Sequence, residues 1–362
     1  MSPFSAILKG EDRVSTTVCL AYMFACVNLF FVAQCSDARI HSNNERGGVS
    51  DVLTPNTTFS VGPRTIEKFS ALSSSIWIAV DVERVVWRTE NRGITWVPIK
   101  EGKYRVSNLS IVDAQTLYLV IDGLFLRSAD LGLSWEEVSQ VPGDVVAISF
   151  LNAAEGVLIA DVGESHEDVT LSIFTADGGR NWRRQSIRAN NKSTSIDSIF
   201  YAQRDLVFAA GREGVFVTYD TGGTWAKVPK LSGSFDKIEF RTPSIGWLVE
   251  TIFSASQITI DSGRSWTRLD LPQSQSGSTF FIFENRTTVV LDSRGYVQMK
   301  RFGSRSFVTV GSYSKDWASM VNKDEIGQAF IEPTPDGAVV LLWFLDGKSF
   351  SIATKDCGET WF

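Results

Sequence analysis

Between residues 195 and 229 apolar positions come in short bursts separated by turn formers. "SIDSIFY" (195–201), "LVFAAG" (206–211), "GVFVT" (214–218) and "WAKVP" (225–229) are apolar or alternating runs bounded by Gly, Asp and Ser. Runs of that length with those boundaries predict strands, and no helical period competes with them. The segment reads as four antiparallel strands, with the tightest turn, "TYDTGGTW" (218–225), between the third and the fourth.

That turn is spelled six times without a gap: "TENRGITW" (89–96), "SADLGLSW" (128–135), "TADGGRNW" (175–182), "TYDTGGTW" (218–225), "TIDSGRSW" (259–266) and "TKDCGETW" (354–361). The pattern is Ser/Thr-x-Asp-x-Gly-x-Thr/Ser-Trp, with Asn91 for Asp once and Asn181 for Thr/Ser once. Successive Trp residues are 39, 47, 43 and 41 positions apart, and 95 positions then separate Trp266 from Trp361. The long step holds two units, because a worn copy lies at "RFGSRSF" (301–307), placing Phe307 41 residues after Trp266. Seven units of this length are a propeller period. The expected fold is all-β, a seven-bladed β-propeller of four-stranded antiparallel blades over residues 57–362.

The spelling has a physical reason. The carboxylates of Asp130, Asp177, Asp220, Asp261 and Asp356, and the amide of Asn91, can accept backbone N–H bonds across the turn. The Gly tolerates a positive φ. Trp96, Trp135, Trp182, Trp225, Trp266 and Trp361 open the fourth strands and bury large indoles within or between blades. Recurring carboxylates notwithstanding, the motif is read as a structural staple and not as catalytic.

The motif resembles the Asp-box, or bacterial neuraminidase repeat, whose propellers include sialidases, some endoglucanases, sortilin-type receptor domains and the photosystem II assembly/stability factor-like family. The last is closest in look: "FRTPSIGWLVE" (240–250) followed by "GREGVFVTYDTGGTW" (211–225) in a neighbouring unit shows its Phe, its Gly-Trp pair and its Gly-x-x-Gly hairpin before the box. "FLNAAEGVLIA" (150–160) repeats the pattern with Val157 for the Trp. The resemblance implies a non-catalytic propeller that binds a protein as an assembly or scaffold factor. A link to photosynthesis is not implied, and this chain is acidic where that family shows a basic patch.

The chain begins differently. Lys9 and Arg13 precede an apolar run from Val14 to Ala33, followed by Ser36-x-Ala38. This reads as a secretory signal, as an uncleaved membrane anchor, or as a lipoprotein signal ending at Cys35. All three imply export to a periplasmic, secreted or envelope-tethered location. Residues 1–38 form that segment, and residues 39–56, polar and turn-rich, read as a linker. Three of the four Cys (Cys19, Cys26, Cys35) lie in the N-terminal segment, so no disulfide can form within the propeller, and Cys357 reads as a bystander in a variable box slot.

Composition narrows the function. A net charge of −6 argues against nucleic acid, which needs a basic face. Two His and no zinc spacing leave no metal or cofactor to expect. A sialidase would need three converging Arg, a Tyr nucleophile with a Glu partner, and an Asp acid; "VGPRTIEKF" (61–69) does not match its usual opening string. No catalytic residue is assigned. The hairpins between second and third strands gather on the face opposite the boxes and bring Arg84, Asp122, Glu164, His166, Glu167, Arg212, Glu213, Glu250, Asp292, Arg294 and Asp346 there, with Asp81, Glu83 and Lys348 beside them. An acidic ring of this kind would steer a basic protein partner, with the 161–169 segment expected as a protruding loop and first contact. The alternative is a carbohydrate-active propeller, glycosidase or lectin-like, with a glycan as ligand. Membrane contact is expected only through the N-terminal segment. Ring closure is expected from "TTFSV" (57–61), added as a fourth strand beside residues 349–354.

Overall fold

In the computed structural model of the chain, the described residues are 62–361, apart from 64, 102–105, 114, 142, 165–166, 190–191, 251–254, 273–278, 292–295, 313–327, 336 and 346–347. They form seven antiparallel sheets in sequence order, six of four strands and a last of three, plus one two-stranded ribbon. The first blade runs Ile66–Ala71, Trp77–Asp81, Val85–Thr89 and Val97–Glu101. The innermost strands of the others are Val106–Ile111, Asp144–Phe150, Ile196–Gln203, Phe235–Phe240, Thr279–Ile282 and Gln328–Pro333. This is the seven-bladed propeller that the spacing predicts. Residues 57–61, expected to close the ring, lie outside the described residues.

The second strands are buried throughout, as Leu117–Ile121 and Leu206–Gly211 show, because each is sandwiched between neighbouring blades. The apolar clusters accordingly straddle blade boundaries. Blade one meets blade seven through Ile66, Phe69 and Trp77 packed with Val340, Leu342 and Ala353. The same seam carries a polar lock: Gln328 Oε1 accepts from Ile66 N–H at 2.8 Å and its Nε2 donates to Ile66 O at 2.6 Å. One side chain thus imitates a strand across the closure. Similar bridges join other inner strands, with Asn108 Nδ2 donating to Val146 O at 2.7 Å and Tyr201 and Ile238 N–H donating to Ser149 and Ser198 hydroxyls at 3.0 and 3.1 Å.

The recurrent turn is a closed hydrogen-bond circuit. In blade four the Thr218 hydroxyl donates to Asp220 Oδ1 at 2.7 Å and accepts from Gly222 N–H at 2.9 Å. Asp220 Oδ1 also accepts Thr224 N–H at 2.8 Å, and Oδ2 accepts the Thr224 hydroxyl at 2.9 Å. Both spelling changes preserve the circuit. Asn91 keeps Oδ1 as acceptor and turns its Nδ2 to donate to Thr95 Oγ1 at 2.9 Å, while Asn181 Nδ2 donates to Asp177 Oδ2 at 2.7 Å in place of a hydroxyl. The residue before each Gly is also left-handed, with Arg92, Leu131, Thr221, Ser262 and Cys357 at φ between 51° and 62°.

Each turn then docks on the preceding blade. Trp182 Nε1 donates to Ser139 Oγ at 3.0 Å and its ring meets Phe125 edge-on at 5.0 Å; Trp225 Nε1 donates to Ser172 Oγ at 3.3 Å. A Cβ built on Gly222 would lie 2.1 Å from Phe174 of the blade before. The fourth strand is shorter than expected in blade four, Ala226–Lys227, because Trp225 faces its neighbour before pairing begins. In blade six the worn copy keeps only Gly303 left-handed. There Arg301 forms a bidentate pair with Glu359 of the next box, at 3.2 and 3.0 Å.

Two expectations need correction. Residues 161–169 are not a loop: Gly156–Glu164 and Glu167–Thr175 continue as paired strands, ending at Glu164 opposite Glu167. The pairing runs unbroken through Val162 opposite Val169, so the hairpin extends instead of opening. Cys357 is not a bystander. Its slot faces the apolar cluster of blades five to seven, and it is buried and disulfide-bonded, with its partner outside the described residues.

Candidate functional site

The inner strands enclose a central channel of about 500 Å³. Its shape begins with the backbone. In blades one, two, four and five the inner strand carries a bulge at the same place, where Glu67, Ser107, Asp197 and Asp236 are the extra residues. Blade three carries it one step further, at Val146. A bulge twists the strand and re-aims one side chain. Here the bulge residues Glu67, Asp197 and Asp236, all exposed, stand at the end of the strands opposite the box turns, and Asp197 and Asp236 line the channel. Asp197 is held above the usual carboxylate range by partial burial, with Arg212 opposing and Asp236, Asp161 and Glu213 reinforcing the rise. Acids therefore crowd this mouth.

The hairpin residues singled out from the sequence divide by role. Arg84 and Asp122 occupy left-handed turn positions, at φ 71° and 56°. Asp81 is buried and structural, accepting Val85 N–H at 2.9 Å and Trp87 Nε1–H at 2.7 Å. Glu213 caps the start of blade four by accepting from the Thr194 hydroxyl and from Ser195 N–H. Arg212 and Glu83 are exposed, and Glu250 is half-buried. Glu164 and Glu167 pair at the tip of the blade-three hairpin, and Lys348 pairs opposite Leu345. His166, Asp292, Arg294 and Asp346 lie outside the described residues.

Inside the mouth the wall differs from side to side. Blades one to four present mostly Ser and apolar side chains, among them Ser70, Ser110, Val146, Ile148, Ser198 and Phe200, with Lys68 and Asp197 as the charges. Blades five to seven present Lys237, Glu239, Arg241 and Glu332. Lys237 Nζ lies 2.6 Å from Glu239 Oε1. Nearly half of the Lys237 side chain, 47 %, still meets water, but the channel walls surround it. Burial pulls the Lys237 ammonium down, yet Glu239 and Glu332 together outweigh burial, so its pKa is raised. Desolvation pushes Glu332 up to about 8, with Lys237 opposing. Glu332 is thus held toward its neutral form beside the Lys237–Glu239 ion pair. These channel charges were not found by sequence reasoning; the signal was a charged run, "FDKIEF", in an inner strand, matched in part by "IEKFSA" in blade one.

Arg241 is the one arginine among the described lining residues, so the three converging guanidinia that a sialidase requires are not assembled there. Nor do the described residues hold a group of three or more His, Cys, Asp or Glu able to hold a metal.

Fold and channel together define a seven-bladed β-propeller with an acidic mouth and a half-charged bore. No family model and no curated protein matches the sequence. Among solved structures it is similar to YCF48 bound to D1 peptide, with TM-score 0.59 and 17% identity over 83% of this chain and 97% of that one. It is also similar to an ancestral GH74 enzyme, with TM-score 0.56 and 14% identity over 80% of this chain and 45% of that one. A third likeness is to the GH74 xyloglucanase from Xanthomonas campestris, with TM-score 0.53 and 13% identity over 74% of this chain and 46% of that one. Two of these neighbours are thus more than twice the length that this chain spans. At such identities the likeness is one of fold alone.

Proposed function

We propose that the protein is an exported, non-catalytic propeller that binds a basic segment of another polypeptide at the acidic mouth of its channel, as a scaffold or assembly factor does. The observation that carries this is the gathering of Asp161, Asp197, Glu213 and Asp236 around one opening, close enough for Asp236, Asp161 and Glu213 each to add to the rise that partial burial gives the Asp197 pKa, against Arg212. A negative mouth between low-dielectric walls attracts cationic chains and speeds their encounter. The neighbour bound to a D1 peptide supports a polypeptide ligand on this fold. Export rests on the N-terminal apolar run, Val14 to Ala33.

The test is peptide binding by the folded full chain, using lysine-rich and glutamate-rich peptides of equal length at low and high salt. The lysine-rich peptide should bind at least tenfold more tightly at low salt, and Asp197→Lys with Asp236→Lys should abolish the preference. Equal binding of both peptides, or an unchanged preference in the double variant, would put the partner elsewhere.

A second reading, a carbohydrate-active propeller, is supported by one observation of its own. Glu332, raised toward its neutral acid form, lines the channel with Glu239, which pairs with Lys237, and glycoside hydrolysis uses a pair of carboxyl groups of which one is a raised general acid. Release of nitrophenol from aryl glycosides, lost in Glu332→Gln, would favour it over the scaffold.

A further inference from the structure

Among the described residues, four buried side-chain atoms have no hydrogen-bond partner: Trp135 Nε1, Arg241 Nη2, Trp247 Nε1 and Glu284 Oε1. Buried polar groups are rarely left so, and each one calls for a reason. Three of the four meet in one corner, between blades five and six. The Arg241 guanidinium lies 5.9 Å from the Phe281 ring centre, and the Trp247 ring meets the same Phe281 edge-on at 5.4 Å. Arg241 Nε stands 3.9 Å from Glu284 Oε1. Arg241, Trp247 and Phe281 all line the channel.

The repeat itself shows that this corner is a departure. At the end of each inner strand one residue donates its N–H back to the turn that follows, as Leu72 does to Ile76 O at 2.9 Å and Val112 to Thr116 O at 3.0 Å. Leu151 and Phe283 fill the same slot, and Arg241 does so in blade five, to Ile245 O at 2.8 Å. A guanidinium with a side chain only 4 % exposed therefore occupies a place that holds an aliphatic or aromatic group in blades one, two, three and six and the uncharged Thr334 in blade seven. Trp247 is a second departure. Its counterpart in blade two, Tyr118, donates its hydroxyl to Ala153 O, in the first turn of the next blade, at 2.7 Å. In blade five the next blade's first turn carries Glu284, and the indole N–H has no acceptor.

We propose that the Arg241–Trp247–Glu284 corner binds a hydroxyl group of a small neutral polyhydroxylated molecule, a sugar or polyol, inside the channel. The orphaned atoms are two donors and one acceptor, and a hydroxyl accepts twice and donates once. Arg241 and Glu284 already offset each other in charge. What the corner lacks is hydrogen bonds: an anion would face Glu284 and a cation would face Arg241. The cavity, about 500 Å³, falls within the range of small-ligand sites. The inference concerns the bore and does not depend on what the mouth binds.

The test uses the folded full chain with D-glucose, D-xylose, myo-inositol and glycerol as probes, and acetate as the anionic control, followed by saturation-transfer NMR and titration calorimetry. At least one neutral probe should bind saturably. Trp247→Phe, which keeps an aromatic group but removes the N–H together with the pyrrole ring, should weaken that binding about tenfold, and Arg241→Met should abolish it. If Arg241→Met does not fold, Trp247→Phe decides alone. The inference fails if no neutral probe binds, if binding is unchanged in Trp247→Phe, or if acetate displaces the probe, which would make the corner an anion site.

Discussion

The box turns and the blade-five wall use the same kinds of charged residue in opposite ways. In the turns the carboxylates stand at the surface, yet every oxygen is taken. Asp130 is held down to about 2 by the Ser134 hydroxyl, the Ser134 N–H and the Ser128 hydroxyl, and Asp177, Asp220 and Asp261 are lowered by equivalent donors. In the wall, Arg241 and Glu284 are withdrawn from water and left short of partners, and desolvation is the first cause of both their shifts. A saturated polar group holds the chain in one shape; an unsaturated one is a place where something else can be held. Recurrence of a carboxylate is therefore weak evidence of chemistry, and an isolated charge in a slot that is uncharged in the other blades is stronger.

The largest expected effect comes from breaking the saturated side. Gly222→Val places a Cβ against Phe174 at a left-handed position, combining about 1–2 kcal/mol of backbone cost with about 1–3 kcal/mol of overpacking. Gly303→Ala, where nothing lies within 4 Å, bears the backbone cost alone. Urea unfolding of the two variants should differ by at least the packing cost; equal losses would mean that the turn does not dock on its neighbour.

A middling effect should come from Glu332. Its folded pKa, about 8, lies above the ordinary 4.5. Its contribution to stability is thus complete below about pH 4.5 and is lost as pH rises through about 8. The wild-type urea midpoint should decline across that window, and Glu332→Gln should flatten the decline. A parallel decline in the variant would assign it to other groups.

The smallest effect should be the acid limb of a single turn. Asp130 is lowered from 3.8 to about 2, so what it contributes is present above pH 3.8 and fades as pH falls through 2. Asp130→Asn, with an amide that can pair as Asn91 does, should fold normally and lose stability less steeply between pH 4 and 2. An equally steep acid limb would show that the carboxylate charge is immaterial there.

The fold was legible because its information is local and repeated. Ser/Thr, Asp, Gly and Trp each satisfy a need within eight residues, so six copies announced the blade count before any coordinates. What the Trp and Gly face was not legible: that Trp182 reaches Ser139 and that Gly222 lies under Phe174 are matters of the preceding blade, some forty residues away. The mouth was half legible. Hairpin acids such as Glu213 could be placed on a face, but the bulges that present Asp197 and Asp236 are register shifts with no residue signature. The channel charges were hidden because Lys237 and Glu239 alternate within one strand, and Arg241 follows just past its end, as solvent-facing residues would, and only the ring turns that edge inward. The 161–169 segment misled through its charge, which marks exposure and does not distinguish a long hairpin from a loop.

Because every box Trp packs backward, assembly has a direction. Trp135 sits in the cluster of blades one and two, Trp182 in that of blades two and three, and Trp225 in that of blades three and four. A blade leaving the ribosome is thus sealed only when the following blade has made its turn. Trp96 is the exception that time imposes: its cluster is completed by Val340, Leu342 and Ala353 of blade seven. The first box indole synthesised is the last to be covered. Throughout synthesis Trp77 and Trp96 form an adhesive apolar edge that a chaperone, or a second nascent chain, can reach before Gln328 arrives to latch onto Ile66.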